Sequence, residues 1–152
     1  TARVRRKGRG EDGLTYVGDS SITGTTNKSP GAWIAYGTYS ADLLKKGEAS
    51  MEGVITKWID FGITKEELSN MKSTIVGSTQ VGYDTTAGIS TAILSSVVNR
   101  GGVKYLDEYS DKIESITLEE VNRAIKKHIK INLLYKVAAG SIDQNGNPLS
   151  EQ

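Results

Sequence analysis

Gly62-Ile63-Thr64-Lys65-Glu66-Glu67-Leu68 ends one helix and starts another within seven residues. Glycine just past an apolar helical stripe accepts the left-handed conformation that closes a helix. Thr64 and Glu67 have capping-box spacing, in which the Thr hydroxyl and the Glu carboxylate each take up a backbone N–H that the new helix leaves without a partner. Upstream, Ser40 is placed to cap a helix whose apolar positions Leu44, Met51, Ile55 and Trp58 keep helical spacing to about Phe61. Downstream, Leu68, Met71 and Ile75 form a second stripe that reaches Gly77.

The helical block continues past that point. Ile89, Ala92, Ile93, Ser96 and Val97 predict a helix over Thr85–Val98 with small residues for close packing, closed by Asn99, Arg100, Gly101 and Gly102. A short helical turn is expected near Tyr105. Thr117 and Glu120 repeat the capping-box spacing and open a helix with Val121, Ala124, Ile125 and His128 in its stripe.

Strand signals flank the helices. β-Branched and aromatic residues cluster over Leu14–Ile22 and Ala32–Tyr39, with Gly, Asn, Ser and Pro between them, and again over Leu133–Ala139. In the second stretch Trp33, Ala35, Gly37 and Tyr39 share one face and Ala32, Ile34, Tyr36 and Thr38 the other. Neither face is strongly polar, which predicts a central strand covered on both sides. The order β, β, α, α, α, α, β predicts an α+β domain of two layers, an antiparallel-rich sheet with helices packed on one face. That domain is expected to span 1–142, followed by a polar tail over 143–152 that should be poorly ordered.

Composition excludes several classes of function. Hydrophobic residues are 37% and charged residues 24% of the 152, an ordinary globular balance for one domain. Nineteen basic and 18 acidic residues leave a formal net charge of +1, which gives no general pull toward nucleic acid or an anionic membrane. Cysteine is absent, so disulfides, thiolate nucleophiles and Cys-ligated zinc are excluded, while cytoplasm and periplasm both remain open. No apolar run is long enough for a membrane span. The start at Thr1, without Met and inside what reads as an element, suggests a processed product or an excised piece of a longer protein.

Catalytic chemistry has few candidates. A hydrolytic zinc site needs about three converging ligands, and His128 is the single histidine, so neither His-x-x-Glu-His nor His-Glu-x-x-His can be written and His128 reads as structural. No Gly-x-Ser-x-Gly elbow or phosphate loop is present. Arg3, Arg5, Arg6, Lys7 and Arg9 crowd the N-terminus, but no aromatic residue interleaves them to stack bases, and a solvated helix end explains them better than nucleic acid. Arg9 and Tyr16 stand seven residues apart across a Gly-flanked acidic turn. A guanidinium and a phenol both donate hydrogen bonds, which can polarise a peptide carbonyl or steady its oxyanion.

Arg9-Gly-Glu-Asp-Gly13-Leu14-Thr15-Tyr16 resembles the Arg-x-x-x-Gly-Leu-x-Tyr signature in the second domain of the pitrilysin/insulinase-type zinc peptidases, the clan that includes mitochondrial processing peptidase. Gly31–Tyr36, Gly62–Leu68, Lys72–Ser78, Tyr83–Gly88, Tyr109–Ile116 and Thr117–Val121 resemble that family's stretches in the same order, to about Gly140. The resemblance implies that 1–142 is part of the second, non-zinc domain, a metallohydrolase-like domain of the processing-peptidase type that this sequence enters late, without zinc in this chain. It also implies a zinc-bearing domain or subunit as partner, and an extended peptide as substrate. Arg9 and Tyr16 would then hydrogen-bond the carbonyl at the scissile bond, with Tyr16 steadying the tetrahedral intermediate formed by zinc-bound water elsewhere. The family context favours the periplasm over the cytoplasm and is compatible with a dimer. Gly8 and Gly10 flank Arg9 where the family carries an apolar residue and an acid. That departure keeps open a silent homologue that holds the fold or binds peptide without supporting hydrolysis.

Overall fold

Gly62 adopts φ +70°, and a Cβ at this position would collide with the side chain of Asn122. Both facts require glycine, the first because an L side chain clashes in the left-handed region and the second because another side chain fills the space. In this computed structural model, which describes residues 2–11, 13–14, 17–23 and 31–149, the side chains of Ala2 and Arg9 lie outside the description. Asn122 uses the space that Gly62 leaves to clamp the backbone of the next residue on both sides. Its Oδ1 accepts from the Ile63 N–H at 2.8 Å, and its Nδ2 donates to the Ile63 carbonyl at 3.3 Å.

The described elements, in chain order, are α1 (Ala2–Arg5) running into a π-helical turn (Arg6–Glu11), β1 (Val17–Thr23), β2 (Ala32–Thr38), α2 (Leu44–Phe61), α3 (Lys65–Gly82), α4 (Thr86–Asn99), α5 (Lys104–Asp107), α6 (Tyr109–Ser115) and α7 (Leu118–His128). β1 and β2 pair in a small antiparallel sheet. The α+β architecture expected from the sequence is therefore present. The chain clusters into two compact units, one built from α1, β1, β2, α2 and the stretch from 126 onward, the other from α3 to α6 and most of α7.

The helix boundaries follow the caps. The Thr64 hydroxyl accepts from the Glu67 N–H at 3.1 Å while the Glu67 carboxylate accepts from the Thr64 N–H at 2.8 Å, so the capping box of α3 is complete. Thr117 and Glu120 build the same box for α7, at 3.2 and 2.8 Å. Thr85 caps α4 through the Gly88 N–H. Gly101 and Gly102, at φ +89° and +136°, close it, with the Gly102 carbonyl accepting from the buried Ser96 hydroxyl at 2.6 Å. Ser40 begins the α2 region in an extended conformation, but its hydroxyl makes no capping bond and a 3-10 turn over Ala41–Leu43 intervenes.

Three expectations are corrected. α3 does not stop before Gly77 but continues to Gly82, because Gly77 keeps helical geometry and the Thr74, Ser78 and Thr79 hydroxyls bond back to helix carbonyls without breaking it. β2 is not covered on both sides: Trp33, Ala35 and Gly37 are half-buried, whereas Ile34 and Tyr36 are about half exposed. Leu133–Ala139 is not a strand among the described residues. A 3-10 turn occupies Ile131–Leu133, and no partner strand accompanies the remainder. The polar stretch beyond it carries more order than its composition suggests. Asp143 accepts from the N–H groups of Asn145 and Asn147, and an isolated antiparallel bridge joins Ile142 to Pro148.

In the first unit the rings of Trp33 on β2 and Trp58 on α2 stack with centroids 5.6 Å apart, and Ile55, three residues before Trp58 on α2, is buried. In the second, Lys72 of α3 reaches the Glu114 carbonyl at the end of α6 at 2.5 Å.

Asn122→Ala leaves both polar groups of Ile63 without the amide, and urea melts should show a loss of about 1–3 kcal/mol; an unchanged midpoint would refute the clamp. The Glu120 carboxyl is held below the ordinary glutamate value, first by the Thr117 N–H and then by its hydroxyl. Because the folded-state pKa is depressed, its stabilisation is present above the unfolded value and disappears as pH falls through the folded one. In Thr117→Ala the N–H remains, so NMR titration should show the Glu120 midpoint rising only part of the way back.

Candidate functional site

Arg9 sits in the π-helical turn Arg6–Glu11. Such turns are rare, make one-residue-wider loops than an α-helix, and recur at functional sites. The wider winding persists to the end of the turn, where Gly13 takes φ +62° and the Leu14 N–H donates to the Gly8 carbonyl at 2.9 Å, a span of six residues. An α-helix closed by a Schellman motif would use five. Glu11 draws Arg6 and Lys7 to itself at 3.6 and 3.3 Å, so two of the N-terminal cations face an acid on their own turn. Val4 is buried, and α1 and the turn pack on α2 and on the start of the sheet. The backbone of Arg9 is thus anchored by buried neighbours. Tyr16, immediately before β1, and the guanidinium of Arg9 lie outside the described residues.

A second feature of the same unit was not evident from the sequence. A cleft of about 340 Å³ is lined by Ala35–Tyr39 of β2 and its exit, by Leu44, Glu48, Met51, Glu52 and Ile55 of α2, and by Ile131 and Leu134–Ala139. Tyr39 lies against α2 at Gly47, where an added Cβ would strike its ring, and its hydroxyl comes close to Gly37 in the same way. Burial, then the nearby charge of Glu48, raises the Tyr39 phenol above the usual tyrosine range. Lys136 bonds Glu52 at 2.6 Å, and that carboxylate raises the ammonium pKa. The signal available in advance was the pair of glycines at 37 and 47 around a strand-end tyrosine, which becomes legible only once Tyr39 is known to fold back.

The other unit carries an open groove between the end of α3, α4, α5 and α6. It is lined by small residues such as Gly88, Ala92 and Ser95 and by Tyr83, Arg100, Tyr105 and Tyr109. Tyr105 and Tyr109 meet at a ring separation of 5.6 Å, while Arg100 and Lys112 approach the Tyr105 ring at 5.7 and 5.0 Å. Burial, then Tyr105, raises the Tyr109 phenol. Lys112 also pairs with the Glu108 carboxylate at 2.8 Å.

His128 is exposed in the last turn of α7 beside Lys126 and Lys127, and among the described residues no three His, Cys, Asp or Glu side chains gather. Among the described residues no helix is long and apolar enough to cross a membrane.

The fold has a solved counterpart. The chain superposes with a TM-score of 0.74 on the crystal structure of a peptidase M16 inactive domain from Pseudomonas fluorescens, at 22% sequence identity over 85% of this chain. It spans about 30% of the length of that protein. At this identity the likeness establishes the fold. No protein-family model and no curated protein matches the sequence.

Gly47→Ala tests the packing at Tyr39. Helix propensity alone would stabilise α2 by about 1 kcal/mol, but the collision with the ring should reverse the sign and cost about 1–3 kcal/mol in chemical denaturation. The raised phenol adds stability that is present below the ordinary tyrosine pKa and lost as pH rises through the folded value. Gly47→Ala should bring the Tyr39 ionisation, followed by ultraviolet titration, back down. A more stable protein would contradict the contact.

Proposed function

We propose that this chain is the non-zinc domain of a zinc metalloendopeptidase of the pitrilysin/insulinase type. In this reading it closes with a zinc-bearing domain or subunit around an extended peptide and supplies Arg9 and Tyr16 to the joint site. The observation that carries the reading is the fold shared with a peptidase M16 inactive domain over 85% of the chain. The ordered series of family-like stretches, and the Arg-x-x-x-Gly-Leu-x-Tyr spacing from Arg9 to Tyr16, support it.

The chemistry follows from the donor types. A peptide carbonyl becomes an oxyanion when water adds to its carbon, and donors aimed at that oxygen stabilise the transition state more than the ground state. The Tyr16 phenol donates one such bond. The Arg9 guanidinium donates through a charged fork and orients the chain beside the scissile bond. The partner's residues would hold the zinc, which would supply an activated water there. This chain's share is orientation and charge stabilisation, so it has no hydrolytic activity alone. The packing of the turn that holds Arg9 against α1 and α2 suits such a role, because a positioning group needs a firm base.

Peptide hydrolysis by a zinc-motif partner, measured at fixed zinc with and without this chain, tests the proposal. Wild type should restore cleavage. Arg9→Ala and Tyr16→Phe should each reduce kcat/KM by about 10²–10³-fold, the range seen when one oxyanion donor is removed. If wild type binds the partner and peptide but adds no hydrolysis, the chain is the silent homologue.

A further inference from the structure

Asn145 precedes Gly146, and no other asparagine of this chain is followed by glycine. A backbone nitrogen reaches the side-chain carbonyl carbon of the asparagine before it most easily when its own residue has no Cβ in the way. Asn147 offers the opposite case, because the nitrogen of Pro148 has no proton to lose. The fold places Asn145 in the open. The Ile142–Pro148 bridge and the bond from the Asp143 N–H to the Asn147 carbonyl at 2.8 Å close a hairpin with a three-residue loop, Gln144 to Gly146. Asn145 is exposed in that loop, and among the described residues its side-chain amide makes no hydrogen bond. Gly146 takes φ +73°. The same hairpin restrains the pair. The Gly146 N–H donates to the Asp143 carbonyl at 2.9 Å, and the Asp143 carboxylate accepts from the N–H groups of Asn145 and Asn147 at 2.8 and 2.9 Å. Asn147 then ties the loop to α2: its Nδ2 donates to Asp143 at 2.9 Å, and its Oδ1 accepts from the Lys45 ammonium.

We propose that Asn145–Gly146 is a self-modification site, at which asparagine converts to aspartate or isoaspartate and the loop then lets go of α2. The Gly146 nitrogen gives up its proton and bonds to the Asn145 Cγ. The side-chain nitrogen leaves as ammonia, carrying a proton in exchange, and a five-membered imide closes. Water then adds to either imide carbonyl. Breaking the bond from Cγ to nitrogen gives aspartate at 145, whereas breaking the bond from the backbone carbonyl carbon gives isoaspartate, whose main chain runs through the former side chain. In sum one water is consumed and one ammonia released. Both products put a new carboxylate two residues from Asp143, where like charges repel. Isoaspartate also lengthens the main chain by a methylene, so the N–H groups that meet Asp143 lose their register. With those bonds gone, Asn147 is no longer held against Lys45. The hydrogen bond on the Gly146 N–H must open before the nitrogen can attack, so local opening of the hairpin sets the rate. The proposal uses neither Arg9 nor Tyr16 and stands apart from the peptidase reading.

The whole chain is aged in neutral buffer beside a blocked peptide of the sequence Ser141–Leu149, and both are followed by peptide mapping with mass spectrometry. The mass gain of an amide turned acid should arise at Asn145 before any other asparagine, with part of the product as isoaspartate. It should be about tenfold slower in the chain than in the peptide, as a local opening step requires. Asp143→Ala removes the carboxylate that holds the loop and should bring the rate close to that of the peptide. Asn145→Gln should abolish the gain, because its ring would need a sixth member. In the converted chain, amide hydrogen exchange should quicken at Asp143 and Asn147 and stay unchanged in α3. Four results would each overturn the proposal: no gain at Asn145 once the peptide has fully converted, an earlier gain at another asparagine, a rate indifferent to Asp143→Ala, or exchange at Asn147 unaltered after conversion.

Discussion

Ile63, held at both its backbone N–H and its carbonyl by one Asn122 side chain, is the constraint on which the second unit depends. A half-buried N–H and C=O at a helix junction must find partners, and here the partner comes from α7, 59 residues further along the chain. Only a residue without a Cβ at position 62 leaves space for the amide, and only glycine takes its φ without strain. The capping boxes at Thr64 and Thr117 then fix where α3 and α7 begin, so the clamp and the two caps set the register of both helices together.

Much of this was readable in advance because it is local. Capping boxes, a left-handed glycine and an apolar stripe are written within four residues of one another, and each has a direct physical consequence. The long-range partner of Gly62 was not readable, since nothing near Asn122 announces which peptide its amide will meet. The reading failed at the end of α3 for a related reason. Gly77 is a breaker by propensity, yet it stays helical amid side chains that bond back to the helix's own carbonyls.

The strand signals were the least transferable. β2 and Leu133–Ala139 have the composition of buried strands, and composition reports a preference for a covered, pleated surface rather than the presence of that cover. In this chain the cover is incomplete: Ile34, Tyr36, Tyr135 and Val137 are all exposed. As for the candidate site, the spacing from Arg9 to Tyr16 could be found in the sequence, but the π-helical winding beneath Arg9 could not. Gly8 and Gly10 depart from the family pattern on either side of Arg9, and there the backbone widens and closes on Gly8 through Leu14. The Tyr39 cleft escaped notice because it joins segments almost a hundred residues apart.

The central proposal is that Arg9 and Tyr16 meet a peptide only when a zinc-bearing partner is present. NMR of the chain labelled at arginine side chains and tyrosine rings, followed through stepwise addition of an inactivated zinc-motif domain and then of peptide, tests it most directly. The account predicts that the Arg9 Nε and Tyr16 ring signals shift and sharpen when peptide joins the two-protein complex, and not with peptide alone. Signals that stay in place in the ternary mixture while peptide is demonstrably bound would contradict it.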